Sequence, residues 1–419
     1  MLRPDTFALT GLLALLVAFG PVATDLYVPS MTEIGRLLGA SPAEVQLTLS
    51  SYLVGFAFGQ IVYGAISDRY GRKPVLLFAL VLFCAASAAC AAAPGIELLI
   101  AARILQALGG SGAIVLARAI VRDCYAGDRA GRELSTMGAI MSIAPVLAPL
   151  IGSVVQVSFG WRANFIIVVS VGCFALLVVW QSLPETLHQR SARVISMVEI
   201  LRDYRMLLKD RTLLAHIAIV STSYAGLFAW ISGSPFVLQE LHGLSALEFG
   251  FAFGLACIGS VFGAALAAPL VMRIGLALTI GLGTIALAGG GLAMVASVAL
   301  ATHSVAALVL SMMLYQAGLG LAMPQAIAGA LTPFPDHAGA ASSLVGFMQQ
   351  TSAALLGAVV GHMLGFTAWP LAAAVGAMGC ASLLLWMLCI RAVREGVREG
   401  ILAAAFDPNQ GKLQSPRNP

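Results

Sequence analysis

Charge is what this sequence has least of. Asp, Glu, Lys and Arg make up 10% of its 419 residues, while 59% are hydrophobic, and mean hydropathy is +0.93. Soluble chains carry about a quarter charged residues, so this one has too little polar surface to face water and must use lipid as its solvent. Paired cysteine motifs are missing too. The seven cysteines (Cys84, Cys90, Cys124, Cys173, Cys257, Cys380 and Cys389) are odd in number and none is spaced CxxC, so they read as small packing residues. No GxSxG, HExxH or GxxxxGK[ST] string occurs, which argues against an intramembrane hydrolase or an ATP-driven pump. The run Gly281 to Ala286 has the form of a dinucleotide fingerprint, but it sits inside an apolar stretch with no acid following. The chain is therefore read as a non-enzyme with no cofactor and no metal, and any work it does must draw on an ion gradient.

Long apolar runs are what is there. Spanning the hydrocarbon takes about 20 residues of helix. Runs of that length fall at 6–30, 44–66, 74–93, 96–119, 134–157 and 163–183, and again at 212–233, 246–270, 275–298, 304–331, 340–362 and 367–390. The first, with Arg3 as its sole positive flank, reads as a retained helix and not a signal peptide. Basic residues then set the orientation. With the N-terminus inside, Arg69, Arg72, Lys73, Arg122, Arg129, Arg132, Arg273, the Arg190–Arg211 stretch and the tail all fall in the cytoplasm, leaving Arg36 and Arg162 outside. The predicted organisation is a six-helix half over 1–183, a cytoplasmic linker at 184–211, a second half over 212–392 and a tail at 393–419. The linker's Arg202 to Arg211 reads equally as an amphipathic surface helix or a solvated basic segment. Arg-x-Gly corners after the second and eighth spans (Arg69 to Gly71, Arg273 to Gly275) suggest that the halves are repeats.

Among the acids, Asp25 stands alone inside an apolar span, where a charge is costly and its default reading is functional. Its expected partner is Arg103, because counting in from the helix ends puts both at about 7–10 Å below the outer surface. Such a carboxyl can take a proton from outside, release cargo and deprotonate inward. His216, near the inner end of the seventh span, reads as an interfacial residue.

The string GAISDRYGRKP (Gly64 to Pro74) is the most specific in the chain. Gly64 would let a helix approach closely, Gly71 permits a tight turn, Asp68 can face a helix N-terminus, and Arg69, Arg72 and Lys73 hold the turn inside. This pattern resembles the major facilitator superfamily. LIAARILQALGGSG (Leu99 to Gly112), centred on Arg103 and Gln106, resembles the fourth-helix pattern of proton-coupled members, with Ala107 where a glycine is usual. IAPVLAPLIG (Ile143 to Gly152), with Pro145, Pro149 and Gly152, resembles the antiporter pattern of the fifth helix, with Ala148 before the proline. ATDLYVPSM, ARAIVRD, FGWRANF, LPET and FPDHAGAASSLVGFMQQ look like the bicyclomycin/chloramphenicol-resistance branch of drug:proton antiporters.

The resemblance implies an all-α membrane fold of twelve transmembrane helices in two six-helix halves, working by alternating access. It implies proton coupling at Asp25 and Arg103, and conformational roles for Gly64, Asp68, Arg69, Gly71, Arg72, Lys73, Pro145, Pro149 and Gly152. It also implies a bacterial inner-membrane location with both termini cytoplasmic. Residues at midplane depth that could hold a substrate are Tyr52, Phe56, Gln106, Met141, Tyr224, Phe228, Met312, Tyr315, Gln316, Gln349 and Gln350. Aromatic, Met and amide walls suit amphipathic drugs of varied shape, and the lack of an acid-rich cluster favours neutral ones such as amphenicols. The expected partners are a small amphipathic drug, protons and the lipid bilayer, with no nucleic acid and the chain acting as a monomer. The rival readings are proton-coupled movement of a metabolite on the same fold, and a receptor or scaffold, in which intramembrane Asp25 and Arg103 would have no role. GxxxG pairs at Gly55/Gly59, Gly250/Gly254, Gly259/Gly263 and Gly357/Gly361 are expected where the halves meet.

Overall fold

The computed structural model describes residues 7–125, 127–187, 202, 204–300, 304–334, 337–363 and 367–405. Its elements are α1 (Phe7–Asp25), a 3-10 turn (Val28–Ser30), α2 (Met31–Leu38), α3 (Pro42–Tyr70), α4 (Arg72–Ala92), α5 (Ile96–Cys124), α6 (Gly127–Phe159) and α7 (Trp161–Ser182). The second half holds α8 (Arg211–Pro235), a π-helix (Phe236–Leu241), α9 (Ala246–Ile274), α10 (Leu276–Ala299), α11 (Val305–Leu331), α12 (Ala338–Met363) and α13 (Trp369–Ala405). Among the described residues, eleven helices are long and apolar enough to cross a membrane, α1 and α2 counting as one span. The remaining helix, α6, carries its apolar stretch at Ile143–Phe159. The result is the twelve-helix, two-half arrangement that the sequence predicted. Apolar side chains such as Phe78, Phe159, Trp180, Met272 and Leu388 point outward, as they must where hydrocarbon is the solvent.

Local chemistry sets the helix ends. Ser41 accepts from the Glu44 amide at 3.3 Å while the Glu44 carboxylate accepts from the Ser41 amide at 2.8 Å, a reciprocal cap that starts α3. Ser245 and Glu248 start α9 the same way, at 3.3 and 2.9 Å. Gly71 (φ +102°) ends α3 and Gly275 (φ +80°) ends α9, both in backbone conformations that side chains resist. Cap and turn are equally spaced in the two halves, so this stretch is a repeat in structure as well as in sequence.

Several predicted boundaries move. The first span was predicted to end at residue 30, but it runs from Ala8 to Leu38 with a break after Asp25. Pro21 lies inside α1 and Pro29 inside the 3-10 turn, and the missing proline amides interrupt the hydrogen-bond ladder there. Residues 31–38, which fell between the predicted spans, form the short α2 with Thr32, Glu33 and Arg36 as its polar residues, ending at Gly39 (φ +63°). The seventh span continues past 233 as the π-helix, whose Phe236, Val237 and Leu238 are buried. The last helix extends through the start of the predicted tail to Ala405. Within the predicted linker, residues 204–207 are helical and 188–200 lie outside the described residues.

The small-residue faces do not all lie between the halves. Gly55 packs on the Ile104 carbonyl and Gly59 on Ser111, while Gly259 and Gly263 pack on Met313 and Ala317. These are α3–α5 and α9–α11 contacts, equivalent within each half. Gly250 and Gly254 do meet the other half, at Pro149 and Val146 of α6, and Gly361 meets Gln46 of α3. A GxxxG string reports close approach but not the partner.

Candidate transport site

The break in the first span determines the local geometry. With α1 ending at Asp25, the Ala23 carbonyl accepts a hydrogen bond from Arg103 Nη1 at 2.8 Å. Arg103 also donates to Gln106 Oε1 at 2.7 Å, and Gln106 donates onward to Ser87 Oγ at 2.8 Å. The guanidinium is fully buried, lying 4.3 Å from the Tyr52 ring centroid, 4.9 Å from that of Tyr27 and 5.9 Å from that of Phe165. Aromatic faces and a backbone carbonyl therefore enclose this charge, and cation–π attraction is strong where water is excluded. Its Nε and Nη2 have no hydrogen-bond partner.

Asp25 is 4% exposed and accepts from Thr24 Oγ1 at 3.0 Å. It is close to Arg103 without pairing to it: the ion pairs within 4.0 Å among the described residues are Arg72 with Asp68 and Arg72 with Asp123. The helix end from which the depth of Asp25 was counted moves, since the span runs on past the break to Leu38. Arg103 comes near because its long side chain reaches across to the break. Helices α6 and α7 clamp that break from behind. Gly152 lies against the Leu26 backbone, Asn164 donates to Ser30 Oγ at 3.0 Å and to the Gly152 carbonyl at 3.2 Å, and Ser30 donates to Gln156 at 3.1 Å.

A cavity of about 460 Å³ opens beside this region, walled by α1, α3, α5 and α6 from one half and by α8, α9, α11 and α12 from the other. That volume suits a drug-sized molecule. Asp25, Tyr52, Phe56, Met141, Pro145, Tyr224, Phe228, Gln316, Gln349 and Gln350 line it, as does Cys257, to which Gln316 donates at 3.5 Å. The Tyr52 hydroxyl and the Gln350 carbonyl oxygen lack partners in the protein but are themselves buried, the hydroxyl lying beside Gly110 of α5, so the wall is largely apolar.

Three predicted substrate residues are elsewhere. Gln106 is consumed by Arg103 and Ser87, Met312 is fully buried, and Tyr315 donates to the Ser223 carbonyl at 3.0 Å behind the wall. Pro149 and Gly152 pack between helices and not on the cavity. His216 lies in the second turn of α8 and is fully buried, its Nδ1 2.8 Å from the Thr212 carbonyl and its ring packed against Gly329. The sequence reading also missed Gln60, Phe253, Ser260, Met323 and Arg118 of the wall. Arg118 had a readable signal, a charge inside an apolar span, the same signal that singled out Asp25.

The bundle has two distinct ends, which we call the Gly39 end and the Gly71 end. At the Gly39 end the halves touch: Thr32 donates to Gln239 Oε1 at 3.2 Å, and Gln239 donates to the Pro29 carbonyl at 3.1 Å. The break of the first span and the π-helix of the seventh thus dock on each other. At the Gly71 end, Arg72 binds Asp68 (2.6 Å), Asp123 (2.8 Å) and Ser67 Oγ (2.6 Å). Glu185 accepts from the amides of Arg72 (2.9 Å) and Lys73 (3.3 Å), placing a carboxylate on the positive end of α4. Lys73 Nζ donates to the Trp180 carbonyl at 3.0 Å. A side chain at position 71 would meet the Glu185 carboxylate, which would have to shift, and the backbone at φ +102° calls for glycine in any case. Arg69 lies over the Tyr70 ring at 5.4 Å. Gly64, expected to permit a close helix, has open space where a Cβ would go.

An all-helical bundle whose two halves enclose a shared, carboxylate-bearing cavity defines a membrane transporter, not an enzyme. The chain belongs to the major facilitator superfamily, whose family model matches residues 13–358. It is 32% identical to an uncharacterized MFS-type transporter of Bacillus subtilis over 88% of this chain and 92% of that protein. It is 30% identical to a bicyclomycin resistance protein homolog of Haemophilus influenzae, over 92% and 96% of the two chains. It is 28% identical to a chloramphenicol resistance protein of Pseudomonas aeruginosa, over 94% of each. The latter two carry the names of the branch that the motifs resemble. A solved D-xylose–proton symporter shares the fold with a TM-score of 0.73 at 16% identity, covering 91% of this chain and 98% of that one.

Proposed function

We propose that this protein exports small amphipathic antibiotics, of the amphenicol or bicyclomycin kind, in exchange for protons, by alternating access in a bacterial inner membrane with both termini cytoplasmic. The observation that carries the reading is Asp25: an intramembrane carboxylate on the wall of the cavity, at a helix break, near a guanidinium that does not neutralise it by direct contact. Proton and cargo would compete for one cavity, which is the physical requirement for antiport. The names of the bicyclomycin and chloramphenicol resistance relatives support the choice of cargo. The excess of basic residues at the Gly71 end supports placing that end in the cytoplasm.

In this cycle the protonated state of Asp25 excludes cargo and the charged state admits it. Arg103 keeps a permanent positive charge close to the break, which stabilises the charged carboxylate and so favours release of the proton. The contacts of Thr32 and Gln239 would close the outer face while the cavity loads from inside. The test is a drug panel in an efflux-deficient host. Wild type is expected to raise resistance to at least one compound, and Asp25→Asn to give none. Equal resistance from both removes the coupling role of Asp25, and no resistance to any compound removes drug export.

A further inference from the structure

Apart from Asp25, the cavity wall carries one charge among its described residues, and it is Arg118. This residue lies on α5, the helix that also holds Arg103, yet the two guanidiniums are in opposite situations. Arg103 is fully buried, with a carbonyl, an amide oxygen and three aromatic rings around it. Arg118 is exposed to the cavity, has no carboxylate within ion-pair distance among the described residues, and makes its recorded contact with the soft Met141 sulfur at 4.0 Å. A guanidinium presents five N–H donors in a planar fork, and inside a membrane its charge stays costly unless water or an acceptor meets it. While the cavity is open, water can do so. Once the halves close on a cargo, the acceptors must come from the cargo.

The spacing to Asp25 adds a second constraint. Gly20 of α1 lies against Ile114 of α5, with Ile114 Cδ1 3.0 Å from where a Cβ on the glycine would be. From that contact Asp25 lies further along α1 toward the Gly39 end, and Arg118 further along α5 toward the Gly71 end. At helical rise, the two residues are separated by about 13 Å along the bundle. The cavity is therefore bipolar, negative near its middle and positive toward the Gly71 end, with aromatic and amide side chains between.

Resting on the transporter reading above, we infer that Arg118 is a specificity-determining residue that receives a planar two-oxygen acceptor, a carboxylate in the limiting case, at one end of an amphipathic cargo. A fork-to-fork pair with carboxylate is the strongest interaction open to an exposed guanidinium, and it fixes orientation as well as affinity. The carboxylate is then held away from the repelling Asp25, and the aromatic body of the cargo lies between, toward Tyr52, Phe56 and Phe228. This widens the cargo class from neutral drugs to amphipathic monoanions.

The test uses the full-length protein in nanodiscs with 1-naphthylacetate and 1-naphthylacetamide, two probes of one shape that differ in charge, and protein-free nanodiscs subtract partitioning. Wild type is expected to bind the acid about tenfold more tightly than the amide, in line with a charge-assisted bidentate pair. Arg118→Gln is expected to erase that preference, and Arg118→Lys to keep part of it, because charge remains while the fork is lost. Equal affinity of wild type for the two probes overturns the inference, as does an unchanged or proportionally lowered preference in Arg118→Gln. Chloramphenicol export by wild type reconstituted in sealed proteoliposomes separates the two levels. If it persists without acid preference, the inference at Arg118 alone falls; if wild type moves no compound, the transporter reading falls with it.

Discussion

Arg103 shows how a single residue can be charged and buried in a bilayer without an acid in ion-pair contact. Its stabilisation comes from the Ala23 carbonyl, the Gln106 amide and the faces of Tyr27, Tyr52 and Phe165. Cation–π contacts of desolvated guanidiniums contribute about 2 kcal/mol or more. Arg103→Lys keeps the charge but loses the planar fork, so a loss of at least tenfold in drug-dependent proton flux is expected with protein yield maintained. Flux equal to wild type would show that charge alone suffices. At this scale the sequence was informative where a residue was anomalous and silent where it was ordinary. Asp25 stood out as a lone acid in an apolar run, and Arg118 could have stood out by the same rule. Gln106 and Tyr315 could not be placed, because residues of the right type and depth turn either to the cavity or away from it, and that rotation is decided by neighbours distant in sequence.

Helix ends and turns were more legible, for a physical reason. Caps and turns depend on residues within a few positions of one another: the Gly71 and Gly275 corners were read that way, while the equally local pairs Ser41 with Glu44 and Ser245 with Glu248 were passed over. The break after Asp25 was not read, although Pro21 and Pro29 were in view, because prolines are tolerated in membrane helices when a neighbour satisfies the freed backbone groups. Here Arg103 does so for Ala23, and Gly152 packs where Leu26 turns. Gly71→Ala puts a Cβ at φ +102° against the Glu185 carboxylate. A residue with a side chain in this positive-φ, extended-ψ region, which is essentially reserved for glycine, costs about 1–3 kcal/mol before any clash. A lower unfolding temperature in detergent is expected, together with reduced transport; an unchanged melt would show that the turn relaxes freely. Ser245→Ala removes a reciprocal cap of α9 and is expected to cost about 1 kcal/mol, measured as a smaller fall in the same melt.

On the scale of the whole molecule, two irregular segments meet at the Gly39 end. The broken first span and the π-helix of the seventh occupy corresponding places in the two halves, and Gln239 ties them by two hydrogen bonds. Irregular segments suit such a joint because they dock and separate without dismantling a long helix. Thr32→Cys combined with Gln239→Cys is expected to cross-link on oxidation and to block transport reversibly, with activity returning on reduction. Cross-linked protein that still transports would show that this end need not open.

The central claim is that Asp25 trades a proton for cargo. It is tested most directly by drug-dependent proton flux in proteoliposomes carrying an internal pH-sensitive dye, comparing wild type with Asp25→Asn at equal protein. The account predicts that chloramphenicol, or whichever compound the resistance panel selects, drives proton movement through wild type and none through the variant. Equal drug-driven flux through both proteins would contradict it.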